Sequence, residues 1–376
     1  MCIRDRGDTQ WIYAENQNQR SPYFRTEQKL DSSKKVANAS LYITSLGVYD
    51  AYINGQQVMM QDAEGNPIDD TLAPGWTDYN SYIYYQGYDV TSYVQDQEDI
   101  ALGVQLGRGW FAGGIQSWCE FEKQIGDKLS FLAKMIITYE DGTKQIIDSN
   151  TQDWKSFDNG PLIDNDFFNG VEYDARKEAS VEGWNTVGFD DSSWDGVAQF
   201  TGKVGRLEAN SGAIAYVEEN KIHPIAKDSF KYSEVIESKE NGGTSEYATG
   251  EVVPIAVDVN QPIEIKKGET LILNIGQNIA GYNTITVSGP AGTQVDVRQA
   301  EMLNDGNLNP TDKQGGSCGP KGTLYWAGLT DGGQFRETLN DKPFADRYYL
   351  DGEGQETFTP VSYTHLSSSK FLKILM

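Results

Sequence analysis

The sequence predicts an all-β protein made of two antiparallel β-sandwich domains joined by an irregular connector. Three observations carry this prediction. Runs of alternating apolar and polar residues recur along the chain, the period-two signature of half-buried strands. Gly, Asn and Asp punctuate those runs at turn positions. Amphipathic periodicity of 3.6 residues is nowhere sustained over three helical turns. The chain has 376 residues, and at about 100–200 residues per domain it has room for two or three cores. Aromatic residues make up 11% of it, a share that suits pleated surfaces.

From Ala39 to Val58 the run ASLYITSLGVYDAYINGQQV alternates, breaks at Gly47 and turns at Asn54-Gly55, predicting two strands and a tight turn. SYIYYQGYDV and DIALGVQL predict further strands. In FLAKMIITYEDGTKQIIDS, Asp141-Gly142 supplies the positive φ angles of a type I′ turn and so predicts a hairpin. GWNTVGFDDSSWDGV closes the first domain, with Trp184, Phe189 and Trp194 as apolar anchors around the turn-forming Asp190-Asp191-Ser192. That domain spans residues 7–217. Residues 218–253 are polar, hold Gly242-Gly243 and lack a strong period, which reads as the connector. Strand patterning returns in TLILNIGQNIAGYNTITV, and Gly289-Pro290-Ala291-Gly292 joins two alternating strands within SGPAGTQVDVRQAE, placing a second sandwich at 254–360. The opening residues 1–6 (MCIRDR) and the closing residues 361–376, from Val361-Ser362-Tyr363 onward, resemble translated sequencing-adapter remnants and are set aside from fold reasoning.

Charge and composition exclude several function classes. A formal net charge of −24 repels phosphate backbones, and no Lys/Arg stripe offsets it locally, so nucleic acid is not an expected partner. The same acidity serves solubility and also supplies oxygen ligands of the kind calcium takes. Cys2, Cys119 and Cys318 are too few and too scattered for a disulfide framework or a paired-ligand zinc site. With His223 and His365 as the two histidines, an HExxH metal site is excluded and a nucleophilic triad has almost nothing to draw on. No apolar run approaches the roughly 18 residues of a membrane span.

The series LYITSLGVYDAYINGQQV, TLAPGWTDYNSYIYYQGYDVT, ALGVQLGRGWFAGG, GPLIDNDFFNGVEYDAR and GWNTVGFDDSSW resembles, in order, the N-terminal jelly-roll domain of glycoside hydrolase family 78 α-L-rhamnosidases. LNIGQN, Gly281, GPAGT and AEMLNDG, then DRYYLDG and ETFTP, resemble the family's next β-sandwich, up to Val361. Two departures stand out: Asn274 occupies a position where Asp is usual, and the Gly-rich residues 311–340 read as an insertion. Family members continue into an (α/α)6 barrel that holds the general acid and the base of an inverting hydrolysis, and no such barrel is present in this sequence. The resemblance therefore implies a non-catalytic front part that supports a C-terminal barrel acting on rhamnose-containing glycans or glycosides. A free-standing carbohydrate-binding module is the alternative.

Inverting hydrolysis needs two carboxyl groups about 6.5–9.5 Å apart, and 55 acidic residues give the sequence no means of choosing a pair. Glu172 and Asp174 fall on one face if GVEYDAR is extended, but a strand end paired to Arg176 accounts for them more plainly. Some relatives of the jelly roll form carbohydrate-binding module family 67, which binds L-rhamnose through calcium. By that resemblance Asp69 and Asp70, just before LAPGWT, fall where adjacent calcium ligands lie. The module's further Asn and Pro carbonyl ligands have Gln124 and Leu129 near their places, so a solvated acidic turn stays open as the other reading. Trp76 and Trp110, beside Gly75 and Gly109, have the chemistry of sugar-stacking rings, and core packing would use the same residues.

Overall fold

The computed structural model describes residues 9–16, 20–114, 125–167, 169–212, 214–216, 221–233, 238–242, 245–249, 251–305, 321–326, 329–330, 345–359 and 367–376. Residues 1–6, Gln124, the three cysteines, His365 and most of 311–340 lie outside them. Among the described residues, helix is confined to Thr91–Val94, Gly109–Ala112 and the 3-10 segment Ala175–Ser180. The chain is all-β, as its alternation predicts, and divides into two compact units.

The first unit comprises Met1–Phe168 and Lys177–Glu218 and is a sandwich. One sheet carries Val36–Leu46 between Tyr82–Asp89 and Ser130–Tyr139. The other carries Tyr23–Lys29, Asp99–Gly107 and Val48–Ile53 side by side, all antiparallel. Asp195–Gln199 stitches the two together, pairing Ile12–Ala14 of one and Lys155–Phe157 of the other. Gly47 is where the chain crosses between sheets: Leu46 pairs with Ser130, and Val48 with Gly107. It sits at φ +128°, and a Cβ there would lie 2.4 Å from the Gly107 carbonyl oxygen, so backbone and backbone can meet only without a side chain. Between the sheets Ile12, Phe24, Leu41, Ile43, Ile83, Val104, Phe131 and Ile137 form a continuous buried cluster with Trp154. Each such side chain contributes roughly 1.5–3 kcal/mol by leaving water.

Both expected hairpins are present. Asn54 and Gly55 take φ of 49° and 82°, and Tyr52 and Ile53 pair with Gln57 and Gln56. At the second hairpin Ser130–Tyr139 pairs Lys144–Asp148, but the turn is not the expected type I′. Only Gly142, at φ 81°, is left-handed there. The Gly142 amide donates to the Tyr139 carbonyl and the Tyr139 amide to the Thr143 carbonyl, while Asp141 Oδ1 accepts from the Thr143 amide and hydroxyl. A side chain able to accept those two bonds holds Asp141 right-handed, and the extra residue is absorbed as a bulge. Trp184, Phe189 and Trp194 pack as expected: Trp184 and Trp194 stack with ring centroids 6.3 Å apart, and Phe189 meets Trp194 edge-on at 5.6 Å. Buried Arg25 donates to the Trp184 carbonyl and pairs with Asp191 beneath them.

The second unit comprises Asn169–Arg176, Glu219–Pro360 and Thr364–Met376. Its main sheet runs, in spatial order, Gly170–Asp174, Asp346–Tyr349, Gln294–Ala300, Ser367–Leu375, Glu269–Gly281, Ile225–Ser233 and Ile255–Ala256. Three features were not read from the sequence. Gly170–Asp174, expected within the 7–217 domain, pairs parallel to Asp346–Tyr349. Ile225–Ser233, expected as connector, is a strand whose first four residues are all exposed, which is why no apolar period marks it. Ser367–Leu375, within the tail set aside from fold reasoning, lies between two strands of the sheet. Gly289-Pro290-Ala291-Gly292 joins Ile285–Val287 to Gln294–Ala300, and those strands pair with different partners rather than with each other.

Asn274 has a physical reason to be an amide here. Buried at 2% exposure, it donates from Nδ2 to the Lys227 carbonyl at 2.9 Å and accepts at Oδ1 from the Gly276 amide at 2.8 Å. A carboxylate can make the second bond but faces an acceptor with an acceptor at the first. Asn274→Asp should therefore cost about 1–3 kcal/mol, read as a drop in urea midpoint at neutral pH. Unchanged stability would mean the Lys227 contact contributes nothing.

Candidate functional site

Two sequence motifs quoted above meet at one surface of the first unit. In APGWT, Gly75 at φ +100° turns the chain and leaves Trp76 58% exposed. In GRGWF, Gly109 at φ +49° lies so close to Val48 that a Cβ would stand 2.8 Å from Val48 Cγ1, and it launches the short Gly109–Ala112 turn that carries Trp110. The two indoles stack, with centroids 6.1 Å apart and planes inclined by 13°. Phe167 closes on the Trp110 ring at 4.5 Å. Trp76 thus offers its ring to solvent, and half-buried Trp110 braces it.

Beside this stack lies an open cavity of about 400 Å³ lined by Trp76, Thr77, Asp78, Tyr79, Asn80 and Ile125. Thr77 and Tyr79 are buried, yet Thr77 Oγ1 and the Tyr79 hydroxyl have no hydrogen-bond partner among the described residues. Burial also pushes the Tyr79 phenol well above the usual range, so it stays a neutral donor. Orphan buried hydroxyls cost stability and in native proteins call for an explanation; a ligand bearing hydroxyls would supply one. Sequence reasoning found Trp76 but missed Thr77 and Tyr79. Their signal was available in part, since alternate residues of an extended TDY segment face the same side.

The aromatic stack stands on a buried ion cluster. Arg108 donates Nε to Asp164 Oδ1 at 2.8 Å and Nη2 to Asp164 Oδ2 at 3.0 Å, and its Nη2 lies 3.2 Å from Asp166 Oδ2. Asp166 Oδ2 in turn accepts from the Gly114 amide at 2.9 Å. Arg108 and Asp166 are almost fully buried, and they precede Trp110 and Phe167 by two residues and one. Burial raises the Asp164 carboxyl against the lowering pull of Arg108 and Arg20.

Asp69 and Asp70 lie in a different setting. Asp70 Oδ2 accepts from Gln86 Nε2 at 3.0 Å, and Asp69 Oδ1 from Gln57 Nε2 at 3.2 Å, with Asp50 Oδ1 3.4 Å from that same amide nitrogen. Gln86 Oε1 takes the Tyr49 hydroxyl, which also meets Tyr88. Burial, with Asp69 nearby, pushes Asp50 up to about 7; burial raises Asp70 too. Calcium requires six to eight oxygens at 2.3–2.6 Å. Here amide donors face the carboxylates, and no group of three or more His, Cys, Asp or Glu among the described residues has a metal-holding arrangement. The donor set fits a hydrogen-bonded polar core better than a calcium cage. Glu172 and Asp174 are likewise engaged: Arg176 binds Asp174 bidentately at 2.7 and 2.8 Å, and the Tyr349 hydroxyl donates to Glu172.

Comparison with known proteins adds the following. Residues 34–218 match the α-L-rhamnosidase N-terminal domain, and residues 264–367 the bacterial α-L-rhamnosidase concanavalin-like domain. An α-L-rhamnosidase of Streptomyces avermitilis is 34% identical over 327 residues, covering 87% of this chain and 24% of the relative. One from Alteromonas sp. is 29% identical, covering 76% and 25%. Among solved structures, the Streptomyces avermitilis α-L-rhamnosidase complexed with L-rhamnose aligns at TM-score 0.66 and 29% identity over 95% of this chain and 27% of its own. The Aspergillus terreus enzyme aligns at TM-score 0.68 and 25% identity, over 99% and 34%. The chain spans about a quarter of the length of the curated relatives it matches.

Proposed function

Because the chain belongs to the bacterial α-L-rhamnosidase family, of which it holds the N-terminal and concanavalin-like domains, we propose that it is the non-catalytic front part of an enzyme hydrolysing terminal α-L-rhamnosides. Its partner in that work is the helical barrel to which such enzymes extend. Its own contribution, beyond supporting the barrel, is to hold a rhamnose-containing glycan at Trp76. The observation that carries this reading is the cavity in which an exposed indole, backed by Trp110, stands beside Thr77 and Tyr79, whose buried hydroxyls have no hydrogen-bond partner among the described residues. A pyranose has an apolar face for the ring and hydroxyls for Thr77 and Tyr79, the mix of apolar wall and few fixed polar groups typical of small-ligand sites. Binding here rests on these groups and does not call for calcium at Asp69 and Asp70.

Calorimetry with L-rhamnose, with and without calcium, tests the proposal. Heat of binding equal in the two buffers is the expected result, and no heat at millimolar sugar in either buffer ends it. Trp76→Ala should weaken binding about tenfold or more, equivalent to 1.4 kcal/mol, while changing stability by less than about 1 kcal/mol because the ring is largely exposed. Tyr79→Phe should move two readouts in opposite directions. Without sugar it removes an unsatisfied buried hydroxyl and raises stability by about 1 kcal/mol; with sugar it lowers affinity. A chromogenic α-L-rhamnoside should not be turned over by this chain, and turnover abolished by a carboxylate substitution within it would overturn the non-catalytic assignment.

A further inference from the structure

In the first unit, the sheet in which Val36–Leu46 lies beside Tyr82–Asp89 carries tyrosines on its outer face. Leu41 and Ile43 are buried between the sheets, so alternation puts Tyr42 on the opposite side. By the same rule Tyr82 and Tyr84, which flank the core residue Ile83, point outward. Tyr85 meets the Tyr42 ring edge-on with centroids 6.2 Å apart, and Tyr82 meets Tyr84 in the same way at 5.4 Å. All four are partly exposed. Opposite Tyr42 in the pairing stands Gly87, where a Cβ would lie 3.2 Å from Tyr42 Cε1; glycine lets that ring lie across the strand instead of standing away from it. The edge beside these rings is polar and carries no net charge. Arg206–Ala209 pairs parallel with the tyrosine strand and sets Arg206 opposite Tyr82 and Glu208 opposite Tyr84. The Arg206 guanidinium lies 5.7 Å from the Tyr82 ring centroid, and its Nε donates to Glu208 Oε1 at 2.6 Å. The face also runs into the Trp76 region: a Cβ on Gly75 would lie 3.6 Å from Tyr84 Cδ2 and 4.0 Å from Asn210 Nδ2, and Asn80 of the cavity rim leads through Ser81 to Tyr82.

We propose that this tyrosine face is an extended glycan subsite whose occupant is the neutral sugar chain behind the rhamnose unit at Trp76, an inference that rests on the reading of Trp76 as a rhamnose site. Tyrosine suits the task, since its ring covers an apolar sugar face, its hydroxyl meets a sugar hydroxyl, and fixing it costs little conformational entropy. The chemistry selects a neutral chain. Arg206 is already matched by Glu208, so the pair offers donors and acceptors to hydroxyls but little net attraction to an anion, in a chain whose formal charge is −24. A glycan held at Trp76 makes its contacts with the tyrosines intramolecularly, so the two sites together bind more tightly than either alone.

Calorimetry of the full chain with L-rhamnose and with an α-linked tetrasaccharide of L-rhamnose tests the subsite. The tetrasaccharide should bind about tenfold tighter or more, a comparison made on the unsubstituted chain and so independent of how any variant folds. Tyr82→Ala and Tyr85→Ala, each checked for folding by its urea midpoint, should bring the tetrasaccharide down to the affinity of L-rhamnose. A tetrasaccharide alternating L-rhamnose with galacturonate should gain less than the neutral one. Binding of L-rhamnose with no gain on the neutral tetrasaccharide overturns the subsite and leaves the Trp76 site standing. An equal gain for the acidic tetrasaccharide overturns the preference for a neutral chain. No binding of either neutral sugar overturns both the subsite and the reading of Trp76.

Discussion

Replacing Arg108 with Met should cost the first unit about 3–5 kcal/mol, because it leaves two buried carboxylates facing an apolar side chain. Arg108 is 2% exposed and Asp166 fully buried, and Asp164 would retain only half-exposed Arg20, at 3.3 Å, among the ion pairs described here. Urea unfolding at neutral pH measures the loss. Adding Asp164→Asn and Asp166→Asn should recover a large part of it, since neutral amides carry far less desolvation penalty. A single Arg108→Met variant as stable as the wild type would show that the cluster is not the foundation inferred here. Binding should fall with stability: Arg108 starts the turn bearing Trp110, and Asp166, held by Arg108 and the Gly114 amide, directly precedes Phe167. Loss of stability with full retention of L-rhamnose affinity would separate the ion cluster from the aromatic site.

The second large effect is a stability that declines as pH rises through the mildly acidic range. Asp50 is held in the fold with its carboxyl pushed up to about 7 by burial and by Asp69, against about 3.9 in an unfolded chain. Between those values the folded state keeps a proton that the unfolded state has lost, so the slope of unfolding free energy with pH is negative. The loss accumulates from about pH 4 to 7, reaches on the order of 2–4 kcal/mol, and levels off above. Asp70 and Asp164, also raised by burial, act with the same sign. Asp62, Asp78, Asp89 and Asp141 are lowered by their hydrogen bonds; what they contribute is present above the unfolded carboxylate range and lost only below it. Comparing wild type with Asp50→Asn isolates the one group: the variant should lose stability less steeply between pH 5 and 7. Parallel curves would show that Asp50 ionises normally in the fold.

Much of the first sandwich was legible because its signals are local. Alternation gave Val36–Leu46, Tyr82–Asp89 and Ser130–Tyr139, and Asn54-Gly55 gave its turn, since each depends on residues within a few positions. Asp141-Gly142 gave the hairpin but not its turn type, which was decided by the Thr143 contacts of the Asp141 side chain. Strand identity without alternation was invisible: Ile225–Ser233 exposes most of its side chains and so wears no apolar stripe. Allegiance at long range was invisible as well. Nothing within GVEYDAR announces that its partner is DRYY, and nothing in SSSKFLKIL announces that it fits between two strands already anchored elsewhere. At the candidate site, flanking glycines pointed to both Trp76 and Trp110 but could not say which ring faces water. An unsatisfied hydroxyl such as that of Tyr79 exists only once neighbours are placed around it, so no sequence pattern could have marked it.

The parallel pairing of Gly170–Asp174 with Asp346–Tyr349 bears on how the chain is made. At ribosomal rates of 5–20 residues per second, the 175 residues between Gly170 and Asp346 take about 9–35 s to emerge. Throughout that interval Gly170–Asp174 has left the exit tunnel without its Asp346–Tyr349 partner. The first sandwich can close around its own core meanwhile, because the strands of both its sheets come from residues outside that segment. A strand edge left open for tens of seconds is what a nascent-chain chaperone would meet first.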